Sequence, residues 1–334
     1  MTEATADVET WRCAVNCQCS PAEADHGVAE GVDMVPDAPG PCKCRRRFSV
    51  VIPAYNEEAF IAGSLESILA QDFADPFEII VVDNNSTDGT SRVARGHGVI
   101  VVREERQGVC WARQRGTEMA TGDIIVSADA DTIYDHGWLH RIDREFRADS
   151  GRVAVVGPFR FTDAPWWGSA WTWALFGFVF VVSRLTKKVP YVAAANLAFR
   201  RTDWPGYNTY ATQGGDELDL LRRLQTRGTV AFIPDNPVYT SSRRLSRGFV
   251  YNALVTVFFY YFLGYTLNRL ARRAVVGMAP ACRPTAAEKP RRHWQLVSVC
   301  ACACACLVLL VAFTRVGHEM PHLSQLSHLT RYIH

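Results

Sequence analysis

Residues 1–47 lack an apolar run of the ~7–15 residues that forms the core of a secretory signal, so no export signal is expected there. The 11 cysteines of the chain therefore do not suggest an extracellular disulfide scaffold. Nor do Cys13, Cys17, Cys19, Cys42 and Cys44 follow a familiar zinc-knuckle spacing. The glycine-rich loop of P-loop nucleotide sites is missing. A formal net charge of only +2 gives no global attraction to nucleic acid. What remains is a chain of 334 residues, 48% hydrophobic, long enough for a sizeable core in one large or two ordinary domains.

The first 47 residues have no apolar periodicity and end in a basic run, so they are expected to be a disordered tail, with folded structure starting at Phe48. From there short unbroken apolar runs alternate with amphipathic segments. The runs are FSVVIPA (48–54), FEIIVVD (77–83), GVIVV (98–102) and DIIVSAD (123–129), separated by helices expected near 57–71, 88–96 and 108–120. Such alternation predicts an α/β domain with a mostly parallel, Rossmann-like sheet covered by helices on both faces. A strand is expected near 153–161, an apolar segment at 166–182, a further strand within 190–201 and a helix over 214–228.

Ligands of such sheets collect beyond the carboxyl ends of the strands. Three of those ends are polar here: PAYNEE (53–58), DNNSTDGT (83–90) and DADT (129–132). Asp129 and Asp131 pose the sharpest question, because neighbouring carboxylates repel one another and resist desolvation unless a cation or hydrogen-bond donors offset the cost. A solvated turn would also explain a bare DxD. Three strand ends delivering polar side chains to one rim favour a binding crevice.

The blocks VIPAYNEE, VVDNNSTDGT, QGVCWARQRGTEMATGD, SADAD, AANLAFRR and GGDELDL occur in an order and spacing over residues 48–240 that resemble the family 2 glycosyltransferases, inverting enzymes of GT-A fold that use nucleotide-sugar donors. The resemblance implies Mg2+ or Mn2+ at Asp131, with Asp129 near the ribose and also beside the metal. It places Asp83, Pro53, Tyr55 and Glu57 around the nucleoside. Arg113 is expected either to face the diphosphate or to be a solvated helix charge. Asn196 matches a position near the acceptor and donor sugar. Family members commonly read Glu-Asp where this chain reads Asp216-Glu217, so alignment gives Glu217 the place of the general base, with Asp216 as the alternative.

Residues 294–313, WQLVSVCACACACLVLLVAF, carry no charge over a length that spans a bilayer core, and a transmembrane helix is expected. Segment 249–267 is also uncharged but rich in Tyr, so it is expected at the interface or across the membrane. The loop between them is strongly basic and is expected on the cytoplasmic side. The nucleotide-sugar donors implied by the resemblance put the catalytic domain there too, which is met if 166–182 and 249–267 are interfacial or re-entrant and 294–313 alone crosses, a two-helix hairpin being the alternative. The domain plan is a tail to 47, a GT-A domain over 48–245, a membrane-associated region over 246–313 and a tail from 314 to 334. Arg243 and Arg244, just before the membrane region, are expected on the acceptor side, where a lipid-linked phosphate would sit. The expected function is metal-dependent inverting transfer of a sugar from a nucleotide donor to a lipid or lipid-linked acceptor, with no nucleic acid partner. The rivals are a hydrolase using the paired Asp residues and a non-catalytic membrane scaffold with a nucleotide pocket.

Overall fold

The computed structural model describes residues 45–208 and 216–252, with Val15 and separate residues between 254 and 276. The Cys-rich start, the 294–313 segment and the final tail lie outside the described residues. Seven strands form the main sheet: β1 (Phe48–Ala54), β2 (Phe77–Asp83), β3 (Ile100–Arg103), β4 (Ile124–Ser127), β6 (Arg152–Val156), β8 (Leu197–Arg200) and β9 (Thr229–Phe232). Their order is β3-β2-β1-β4-β8-β6-β9. The β3-β2-β1-β4 half is wholly parallel, whereas β8 runs antiparallel to both its neighbours. The expected mostly parallel α/β sheet is therefore present, with one inverted strand.

The apolar runs became strands because both faces of the sheet are covered. Alternation along β1 sends Val50 and Ile52 to one layer and Val51 to the other. The first layer packs helices α1 (Ile61–Leu69) and α4 (Trp138–Ala148), through Ile61, Leu65, Ile68, Trp138, Leu139, Ile142 and Phe146. The second packs α3 (Val109–Met119), α5 (Trp166–Thr186) and α6 (Asp216–Leu224), through Ala112, Phe176, Val179, Leu220, Leu221 and Leu224. A short helix α2 (Thr90–Gly96) follows β2.

Register fixes the rim. Ala54 at the end of β1 pairs with Asp83 at the end of β2, and β4 ends at Ser127 opposite Val51, so three loops emerge side by side. A second sheet of three strands, β5 (Thr132–Ile133), β10 (Val238–Thr240) and β7 (Phe159–Phe161), crosses this rim. Thr240 pairs with Thr132, and the Ser241 amide donates to the Asp131 carbonyl at 3.2 Å. The chain that follows β10 is thus pinned beside the DADT turn.

Several boundaries differ from those expected of the sequence. The expected strand at 153–161 is two strands, because Pro158 has no amide to continue a ladder. The first helix starts at Ile61, since Asn56 sits in the left-handed region with φ 54° and the Glu57 carbonyl takes the amides of Phe60 and Ile61 in a tight turn. Folded structure also begins before Phe48. The Arg47 amide donates to Pro76, the carbonyls of Arg46 and Arg47 accept from Asp123 and Ile124, and Val15 bridges to Phe77. The basic run is held by Asp123, Thr121, Glu78 and Asp143, so these arginines clamp the amino ends of β2 and β4.

The apolar segment at 166–182, expected to be interfacial or re-entrant, belongs to the continuous 21-residue helix α5. Trp167, Gly168, Thr172, Phe176 and Val179 form a buried stripe, while Trp166, Trp173, Phe180, Val181 and Leu185 are exposed. Segment 249–267 is described only in part, with Val250, Leu254, Phe258 and Phe259 exposed.

Helix α3 carries Arg113 and lies against the sheet because Gly116 has no side chain. A Cβ there would stand 2.4 Å from Val51 Cγ1 and 2.9 Å from Val82 Cγ2. Gly116→Ala gains helix propensity but overpacks a buried contact, so a net loss of about 1–2 kcal/mol is expected. Urea unfolding checks this, and a stabilised variant would show that α3 can lift off the sheet without cost.

Candidate active site

The loops after β1 and β2 are built from hydrogen bonds among their own polar residues. Asn56 accepts from the Thr87 amide at 2.6 Å through its side chain, and its own amide donates to Ser86 Oγ at 3.0 Å. Asp83 takes the Ser86 amide at 2.8 Å on one oxygen and the Ser91 hydroxyl on the other. Asn84 is buried and donates to the carbonyls of Glu104 and Arg106, both at 2.8 Å, while its Oδ1 accepts the Gly108 amide at 2.7 Å. Gly108 has φ 142°, a conformation that favours glycine, and it opens α3. Pro53, Tyr55 and Asp83 lie on this paired rim, with the Tyr55 ring 38% exposed.

At the end of β4 the chain turns through Asp129 and Asp131 over a buried Tyr134. The Tyr134 hydroxyl accepts the Asp129 amide at 2.8 Å, and the Ser64 hydroxyl donates to the Asp129 carbonyl at 3.1 Å. Burial, and then the neighbouring Asp129 charge, push the Tyr134 phenol well above its ordinary range, so it stays a neutral strut. Tyr134 stacks on Trp138 with ring centroids 4.1 Å apart.

Two arginines tie the rim together. Arg113, on α3 and 4% exposed, donates to Asp129 Oδ1 at 2.9 Å and to Glu217 Oε1 at 3.0 Å. Arg243, in the 3-10 turn Arg243–Arg247 after β10, grips Glu57 with both amino groups at 2.7 and 2.5 Å and reaches Asp131 Oδ2 at 2.9 Å. Burial raises the pKa of Glu57 and of Asp131; Arg243 opposes the rise in both, and Asp129 adds to it at Asp131. Burial pulls the Arg243 pKa down, but Glu57 and Asp131 outweigh it and raise the net value. Four carboxylates against two guanidiniums leave this linked set with a formal charge of −2. The charge of Arg244 also reaches Asp131.

The structure thus joins Glu57, Asp129, Asp131, Arg113, Glu217 and Arg243, which lie far apart in sequence. A solvated Arg113 is ruled out by its burial. Arg243, expected on the acceptor side, binds Glu57 and Asp131 and so stands among the carboxylates of the rim. Arg244 is exposed beside it. Asn196, matched to a position near the acceptor and donor sugar, spends its amide within the fold: it accepts from Trp138 Nε1 at 3.0 Å and donates to the carbonyls of Pro158 and Asn236 at 2.9 and 2.8 Å. It is a buried strut between β8, α4 and the Asn236 turn. Asp216 opens α6, directly before Glu217.

Sequence reasoning missed the arginine bridges and Thr240, whose hydroxyl lies 3.4 Å from Asp131 Oδ1. The run SSRR carries no spacing signal for Asp131; only the pairing of β10 with β5 brings it there. Among the described residues no three acidic, His or Cys side chains converge into a closed metal cage. The oxygens of Asp129 and Asp131 nevertheless fit a hard divalent cation that takes its other ligands from phosphate and water. The net negative charge of the linked set suits the same ion.

Residues 49–204 match the family model described as glycosyl transferase family 2. An uncharacterized glycosyltransferase of Mycobacterium tuberculosis is 38% identical over 185 residues, which is 54% of this chain and 79% of the relative. The glucosyl-dolichyl phosphate glucuronosyltransferase of Haloferax volcanii is 27% identical over 118 residues, 33% of this chain and 37% of that protein. The chain spans only about a third of the length of the archaeal relatives it matches. Among solved structures, the glucosyl-3-phosphoglycerate synthase of M. tuberculosis in complex with phosphoglyceric acid aligns with TM-score 0.49 and 24% identity, covering 68% of this chain and 80% of the other.

The raised Asp131 pKa has a consequence for stability. Because the folded pKa lies above the unfolded one, ionising this side chain opposes folding, and the penalty fades as pH falls through the folded value. Asp131→Asn is therefore expected to stabilise the protein in chelator at pH 7.5 by about 0.5–2 kcal/mol, with the gain shrinking in acid. Denaturant unfolding at pH 7.5 and pH 4 measures it; a variant less stable at pH 7.5 would mean that the Arg243 contact outweighs burial.

Proposed function

The chain belongs to glycosyl transferase family 2, and on that footing we propose that it transfers a sugar from a nucleoside-diphosphate donor, with inversion, to a lipid or lipid-linked acceptor at a membrane surface. The observation that carries this reading is the charged rim in which Arg113 and Arg243 link four carboxylates from β1, β4 and α6. A diphosphate approaching a site of charge −2 meets repulsion, so a cation must accompany it. Mg2+ or Mn2+ held by Asp131 and Asp129 would neutralise the charge that collects on the departing diphosphate.

The rest falls to the side chains. The loop from Pro53 to Glu57 and the Asp83 turn shape the nucleoside end, where stapled loops reduce the entropy lost on binding. Arg113 holds Asp129 and Glu217 at a fixed separation, which keeps the acceptor end in register with the donor end. Glu217, on the rim and tied in orientation, takes the proton of the acceptor hydroxyl as it attacks the anomeric carbon from the face opposite the diphosphate. Asp216 is the alternative base.

Support for a membrane acceptor comes from α5. Its outer face shows Trp166, Trp173, Phe180, Val181 and Leu185 to solvent, its carboxyl end carries Arg184, Lys187 and Lys188, and the helix is long and apolar enough to cross a bilayer. A ring contact of 5.3 Å joins the buried Trp167 to Phe249, which sets the segment of the exposed Val250 against the helix that carries this outer face. Lying on the headgroup region, that face would bring the rim to a lipid acceptor. The Haloferax relative is named for a dolichyl phosphate substrate, which agrees with such an acceptor. Nucleotide donors place the catalytic domain on the cytoplasmic side, and the uncharged 294–313 segment would anchor it.

Nucleoside diphosphate release from a panel of nucleotide sugars with lipid extract tests the chemistry. Turnover is expected to need metal and lipid, and Asp131→Ala and Glu217→Gln should each lower kcat by about 10²–10⁴-fold. Release in water alone would instead support a hydrolase, and donor binding without turnover a scaffold. Flotation with anionic vesicles tests the surface: the Trp173→Glu, Phe180→Glu double variant should shift protein from the lipid layer to the soluble fraction, and unchanged flotation would remove α5 from the membrane contact.

A further inference from the structure

The two arginines of the rim are not equivalent. Arg113 is 4% exposed and rises from the body of α3, with its fork committed to Asp129 and Glu217. Arg243 has 18% of its side chain exposed and stands on a short turn at the mouth. The backbone before it is fastened: Ser241 donates to the Asp131 carbonyl, and Ser242 donates through its amide and hydroxyl to Asp163 at 2.9 and 3.1 Å. With the backbone fastened, the partly exposed side chain is the part that can move. The Phe60 ring, its centroid 4.9 Å from the guanidinium carbon, lies against the cation beside the carboxylates.

Arg243 also occupies a contested position. It engages Asp131 Oδ2, while Oδ1 faces the Thr240 hydroxyl. A divalent ion approaching Asp131 therefore meets a guanidinium already neutralising that carboxylate. We propose that Arg243 is an exchangeable counter-ion: without donor it spans Glu57 and Asp131 in competition with the metal, and once the metal and donor enter it turns to the diphosphate. This rests on the metal-dependent reading above. An arginine fork matches phosphate oxygens as well as carboxylates, so the displaced side chain finds a ligand of the same geometry. The exchange keeps Asp131 compensated in both states, by arginine when unloaded and by metal when loaded.

The test reads binding rather than turnover. Mn2+ is titrated into the full chain in detergent, alone and then with UDP, GDP or dTDP, following free Mn2+ by electron paramagnetic resonance. An opposite charge close to a carboxylate lowers its proton affinity by about 1–3 log units, and a metal cation competing for the same oxygens is opposed in the same sense. Arg243→Gln should therefore bind Mn2+ alone about tenfold more tightly than wild type and, with Mn2+ present, bind the nucleoside diphosphate about tenfold more weakly. Arg243→Lys, which keeps the charge but not the fork, should hold Mn2+ affinity near wild type and still lose nucleotide affinity, and it serves as the folded control. If Arg243→Gln binds Mn2+ no more tightly than wild type, the exchange is wrong while the metal reading stands. If wild type takes up Mn2+ neither alone nor with any nucleotide, both fall.

Discussion

The arrangement of the rim follows from one constraint: carboxylates gathered at the ends of parallel strands, partly out of water, have to be compensated. Glu57, Asp129, Asp131 and Glu217 arrive from three different parts of the chain, and each would resist desolvation alone. Two arginines meet that demand with directional forks, and in doing so they dictate where α3, α6 and the turn after β10 must sit. Removing one arm would leave a charge uncompensated, which costs more than the pair itself contributes. The ion pairs are thus better understood as setting a geometry than as a source of stability.

The sheet prepares this geometry by register. Because Ala54 lies opposite Asp83 and β4 ends level with the middle of β1, the DADT turn leaves the sheet earlier along the strands than the loop that carries Glu57, which makes a step between them. The small β5-β10-β7 sheet then folds over the step and carries Arg243 to it. Local rules support each part: Asn56 takes the left-handed conformation that lets β1 turn at once, and Gly116 lets α3 press close enough for Arg113 to reach across.

Much of this was legible in the sequence, and what was not has a physical cause. Runs such as FEIIVVD could hardly be anything but buried strands, so the α/β class, the strand ends and the DADT turn were all readable from periodicity and punctuation. Single roles were harder, because an Asn or Arg looks the same in sequence whether it faces a ligand or a neighbour. Asn196 sits in a matching block yet spends its amide on Trp138 and two carbonyls, a use visible only once β8, α4 and the Asn236 turn are packed. Arg243 precedes an apolar segment in the sequence, whereas its partners, Glu57 and Asp131, lie 186 residues away in one case and across a strand pairing in the other. Pairing between distant strands has no local signature.

The same strand that completes the charged rim also aims the chain at the apolar face. Strand β10 ends at Thr240, the turn Arg243–Arg247 follows at once, and Leu245 and Phe249 close on Gly168 and Trp167 at the start of α5. Fewer than ten residues therefore connect the cation beside Asp131 to the exposed aromatic surface. A displacement of α5 or of the segment after it would pull on a backbone already hydrogen-bonded to Asp131 and Asp163. Under the proposed function this short connection couples two requirements, since a lipid acceptor reaches the base only when the apolar face is seated, and the donor is held only when the arginine turn is in place.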